Sequence, residues 1–277
     1  MANLAPQASP DPAESTWPNN RAILINSLVA LLLGAGVTVL IHEAAHWVAG
    51  ALLGSPSYLY AFGVEHVPPL AGRDAAVAAL AGPAVSLVVG LVMQILQPFR
   101  FRGDFVHLLW IWIAGTSLME ATTYLVITPF AGDTAVAARE LGLPGWASWV
   151  AAAIGVLGMV GVAHLWAVHS VRLCGHDLSR LRSLSWYPWL IAIPVNLALG
   201  LAFLSTAGMA LSPQEQVVII LAGMAQTVFA PMSLPFSHRV RELEEPLEVT
   251  PFPVAGAIGF AALVAFNFAI SGGLRLG

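Results

Sequence analysis

Long apolar stretches alternate along the chain with short breaks that hold most of its Arg, Pro and Gly residues. A helix crosses a hydrocarbon core with about 20 mostly apolar residues. The pattern predicts such helices over Ala22–Leu53, Ala75–Gln97, Phe105–Thr128, Trp146–Val171, Trp186–Leu211, Gln216–Leu234 and Phe252–Ile270. In the sixth of these, Pro231 and Pro235 would end the helix early. The breaks, such as FRFRGD and RLCGHDLSRLRS, are too short for a soluble domain, and no internal repeat is visible. Strand signals are negligible. Lipid offers no partner to free backbone groups, so the expected fold class is all-α, a polytopic membrane helix bundle of about seven spans. Residues 1–20, rich in Pro, Ala, Asn and Ser, read as a disordered tail without the basic region of a signal peptide.

Composition agrees with the pattern. Of the 277 residues, 58% are hydrophobic and 9% charged, against about 25% charged in soluble domains. An integral, multi-pass protein of the cell membrane is expected, with the lipid bilayer as its surroundings. A net charge of −4 and the lack of a basic block argue against a nucleic-acid partner. The single cysteine, Cys174, reads as a packing residue. Tryptophans near predicted span ends, such as Trp17, Trp146, Trp149, Trp186 and Trp189, read as interface anchors. Every basic residue is arginine. With seven spans, Arg21, Arg100, Arg102, Arg172, Arg180, Arg182, Arg239 and Arg241 fall on the N-terminal side. Only Arg73, Arg139 and Arg275 fall on the other. That asymmetry places the N-terminus in the cytoplasm.

Inside the first predicted span lies HEAAH, residues 42–46. Ionisable groups within a span are costly and usually functional. On a helix, residues i and i+4 share a face, so His42 and His46 can converge on one metal ion. Glu43 is then placed to take a proton from a water. Catalytic zinc commonly takes three protein ligands, so a third is sought elsewhere. Counting spans, the end of the first, the start of the second at Gly82-Pro83 and the end of the third at Asp133 meet at one membrane level. Asp133 is the preferred third ligand and Glu120 the runner-up, although Asp133 also suits a helix cap. Gly82 permits close approach of backbone and Pro83 removes a donor, features of a substrate cleft or equally of an ordinary early-helix proline. Glu65 and His66, in the loop after the motif helix, are candidates to gate the site, and His107 reads as interfacial. His164 and His169 share no helical face and receive no metal role.

Taken together, HEAAH, AGPAVS at 81–86 and PFAGD at 129–133 resemble the site-2 protease family of intramembrane zinc metalloproteases. The resemblance spans Ala22 to about Ala137. It implies a three-helix catalytic core over residues 21–137, with accessory transmembrane helices over 138–277. It also implies one zinc ion held by His42, His46 and Asp133, Glu43 as catalytic acid/base, and cleavage of peptide bonds in or near transmembrane segments of substrate proteins. Ser86 stands where the family usually carries Asn, which suggests a part in orienting substrate, and Gly132 precedes the aspartate where the family usually has Gly after it. The chain has no room for the family's extra domains, so substrate recognition falls to the accessory helices, the loops or a partner protein. The resemblance puts the metal toward the cytosol and the arginines put that face outside, so the orientation stays open. The alternative reading is a non-catalytic membrane protein, an inactive relative of the family or a transporter of metal or protons.

Overall fold

The structure is a computed structural model that describes residues 19–208, 211, 213–241 and 247–277. The first 18 residues of the expected tail therefore lie outside the described residues. Helix α1 (Asn20–Leu52) opens with the Asn19 side chain accepting from the Ala22 N–H. A hairpin of β1 (Ser57–Tyr60) and β2 (Gly63–His66) follows, then α2 (Gly72–Leu96), α3 (Phe105–Ile127), α4 (Asp133–Glu140) and α5 (Gly145–Cys174). Next, α6 (Leu178–Leu181), a π-helical turn (Arg182–Trp186) and α7 (Tyr187–Thr206) form one continuous rod. The chain continues through α8 (Pro213–Ala225), α9 (Phe229–Met232), α10 (Leu234–Ser237) and α11 (Val254–Ala269), and ends in β3 (Leu274–Leu276).

Six helical segments among the described residues are long and apolar enough to cross a membrane, which marks an integral membrane protein. The sixth runs over Ile219–Ser237 and is broken into short helices at its prolines. The expected seventh span is α11, whose 16 residues extend about 24 Å, short of the roughly 30 Å hydrocarbon core. Strands were not expected, yet β1 pairs antiparallel with β2 on one side and with β3 on the other. Each strand has only three or four residues, too few to show a period-two pattern within an apolar sequence.

Helices α1, α2 and α3 pack on one another, α4 lies along α2, and α5 lies along α3. Gly155 lets α5 approach α3 closely, since a Cβ there would lie 2.7 Å from the Thr122 carbonyl oxygen. Trp112, Trp166 and Phe229 form an aromatic knot with ring centroids 4.1–5.6 Å apart. Both indoles need an acceptor in this setting. Trp112 donates to Ser27 Oγ at 3.0 Å and Trp166 to Ser185 Oγ at 2.8 Å. In contrast, Trp146 and Trp149 at the start of α5 are exposed.

Candidate metal centre

The HEAAH turn lies near the C-terminal end of α1, where the hairpin folds back beside it. Helical spacing puts His42 and His46 on one face, with ring centroids 4.7 Å apart. The Asp133 carboxylate reaches them from α4. Gly132 turns the chain with φ +87°, a conformation open to glycine without strain, so that α4 begins with Asp133 pointing at the pair. Asp133 is therefore the first residue of the helix and not its cap. The turn is stitched by hydroxyls: Thr134 donates to the Tyr124 carbonyl at 2.6 Å, and Thr128 to Thr134 Oγ1 at 2.8 Å. The sequence reading missed these threonines, whose signal is only that they flank the aspartate.

Three donor atoms result: His42 Nε2 and His46 Nε2 at 3.0 Å, and Asp133 Oδ2 at 3.1 Å from each. Tautomers follow from the opposite ring nitrogens. His46 Nδ1 lies 2.7 Å from the Ala78 carbonyl, which only accepts, so Nδ1 carries the proton. Ser86 Oγ donates to Glu120 Oε2 at 2.6 Å, leaving its oxygen to accept from His42 Nδ1 at 3.3 Å. Both Nε2 atoms of neutral histidines thus present lone pairs to each other and to a carboxylate. Their mutual repulsion is relieved by a cation at the centre of the triangle, or by a proton on one of the rings. Tetrahedral ligands on zinc at about 2.0–2.1 Å stand roughly 3.3 Å apart, close to the separations here. The residues fit a divalent ion, and Asp133 also has the charge for it.

The other candidates fall around this triangle. Gly82 packs on it: a Cβ there would lie 2.6 Å from His42 Nε2 and would collide with His46 Nε2. Pro83 is interior to α2, not at its start, and its missing N–H leaves the Ala79 carbonyl without a helical donor beside the cleft. Ser86 and Glu120 lie on the far side of the His42 ring, with Glu120 Oε2 3.4 Å from Nδ1. The runner-up ligand Glu120 therefore stands outside the triangle, against the Nδ1 side of the candidate ligand His42, and Ser86 stands with it. Tyr124 stacks on His42 with centroids 4.8 Å apart. The Glu43 carboxylate makes no hydrogen bond to protein among the described residues and faces a cleft of about 760 Å³ that His46 and Asp133 also line. Glu65 and His66 line the same cleft, and His66 Nδ1 pairs with Ser57 Oγ at 2.8 Å. Burial, and then the nearby His46, lower the His66 pKa. His107, near the start of α3, is buried within the protein.

Comparison with known proteins finds no matching family model, no matching curated protein and no matching solved structure, so the reading of this site rests on its own geometry.

Proposed function

We propose that the protein is an intramembrane zinc metalloprotease that hydrolyses peptide bonds in or near transmembrane segments of other membrane proteins. The observation that supports this most is the triangle of two imidazole nitrogens and a carboxylate oxygen beside an unengaged glutamate at an open cleft. A bound zinc ion would supply Lewis acidity, which lowers the pKa of a water and polarises a peptide carbonyl. His42, His46 and Asp133 would hold it, and Ala78, Ser86 and Glu120 keep both imidazoles in the required tautomer. Glu43 accepts the proton of the attacking water and then delivers it to the nitrogen of the leaving amine. The cleft is large enough for an extended segment of peptide. A substrate helix must unwind to enter it, since its own hydrogen bonds shield the scissile carbonyl.

The test is cleavage of single-span peptides in proteoliposomes by the zinc-loaded protein. Wild type should cut, and Glu43→Gln should cut about a thousandfold more slowly while keeping its zinc. Equal rates would overturn the mechanism. Metal or proton flux without peptidase activity would place the protein among transporters.

A further inference from the structure

A second cavity, of about 170 Å³, adjoins the metal cleft. Glu43, Phe62, Tyr124, Ile127 and Ile219 line both, so the two meet at the glutamate. The lining of this chamber includes Glu120 but none of His42, His46 or Asp133. Most of its wall is aliphatic or aromatic and comes from α1, α3, α7, α8 and α11. Four uncharged polar side chains from four separate segments interrupt that wall: Thr123, Asn196, Gln226 and Asn267.

Three of these four are more than nine-tenths buried, with 8% of Thr123, 4% of Gln226 and 8% of Asn267 exposed. Yet Thr123 Oγ1, Gln226 Oε1 and Asn267 Oδ1 have no hydrogen-bond partner among the described residues. Buried oxygens of this kind are nearly always satisfied by protein or by ordered water. A water needs only about 10–15 Å³ and a few polar partners, so this chamber has room for several. Polar side chains between membrane helices ordinarily hydrogen-bond across to a neighbouring helix, and these three oxygens do not do so among the described residues.

We propose that the accessory helices hold a small reservoir of ordered water against Glu43, and that this reservoir supplies hydrolysis while a peptide fills the cleft. The inference rests on the protease reading given above. Each turnover consumes one water: its oxygen joins the carbonyl carbon, the C–N bond breaks, and Glu43 carries one proton to the departing nitrogen. A peptide in the cleft closes the direct route to that water, and lipid supplies none. The chamber reaches Glu43 from the side of α7, α8 and α11, away from His42, His46 and Asp133.

Cysteine labelling tests the chamber without reference to activity. Gly200 and Gly223 line it, and a Cβ at Gly200 meets only Ile220 at 3.8 Å while one at Gly223 meets nothing, so Gly200→Cys and Gly223→Cys are accommodated. Leu201→Cys, on the same helix as Gly200 and 53% exposed on the outside of the bundle, is the lipid-facing control. The native Cys174 is fully buried and gives a low background. A charged methanethiosulfonate reacts with thiolates, which form only where water reaches. Both chamber cysteines should label at least tenfold faster than the control, in wild type and in Glu43→Gln alike. Labelling as slow as the control would overturn the proposal. Asn267→Leu should then lower kcat about tenfold with KM and bound zinc unchanged, and Asn267→Ser, which keeps a hydroxyl, should stay near wild type. A labelled chamber whose Asn267→Leu variant keeps full kcat would overturn the supply role. A wild type that labels but cleaves nothing would remove the protease reading, and the supply role with it, while leaving the chamber hydrated.

Discussion

Two regions of this bundle bury pairs of histidines, and they differ in what surrounds the rings. At the candidate metal centre, His42 and His46 turn their Nε2 atoms toward each other and toward Asp133, while acceptors hold both Nδ1 atoms. In the other region, His169 sits within electrostatic reach of Arg172, His107 and Arg100. There, His169 Nε2 meets the Gln94 carboxamide at 3.1 Å, and Arg172 donates to the Gln97 carboxamide. Both regions hold imidazoles that are almost fully buried. Among the described residues, only the first brings metal-capable atoms together. Burial of histidine in a membrane bundle is therefore not a sign of a metal. Two converging imidazole nitrogens with a carboxylate among them do offer a divalent cation a set of ligands.

The comparison breaks most severely at the ligands. His46→Ala should reduce metal in detergent-purified protein from about one zinc per chain to background, measured by elemental analysis, and should abolish cleavage. A variant that keeps its zinc would remove the basis of the contrast. Next in size is Gly82→Ala, whose added methyl would meet both Nε2 atoms. It should weaken zinc binding by more than tenfold in a chelator competition, unless α2 moves away from α1. Glu120→Ala removes an acceptor beside His42 Nδ1 and leaves all three ligands in place. It should weaken zinc binding about 10–100-fold by the same assay. The smallest effect is expected in the cationic region: His169→Gln should leave zinc content unchanged within error. Loss of zinc there would mean that the two regions are coupled and that the distinction drawn here is wrong.

The difference between these regions was only partly legible in the residues. HEAAH is local, and a helix of known pitch places its two imidazoles without further information. For Asp133, counting spans brought it to the right end of the bundle, but its direction depends on the positive φ of Gly132 and on two threonine hydroxyls. Glu120 looked like a ligand because it is a carboxylate deep in a span, and the distinction between touching a metal and touching a ligand's far nitrogen lies in a single ring's orientation. The strands escaped notice for a different reason. β1 and β3 are separated by most of the chain, and pairing between distant short segments leaves no periodic trace.

Hydrophobic lengths and helical pitch thus determined a membrane bundle and a pair of imidazoles on one face, since both follow from near-neighbour geometry and the thickness of lipid. Everything that joins distant parts of the chain waited on the tertiary structure. That includes the carboxylate completing the triangle, the acceptors that set the tautomers, the hairpin beside the cleft and the carboxamides that line the cavity beside Glu43. The physical reason is common to all of them: a side chain's role here depends on which way its polar atoms point, and packing between helices decides that.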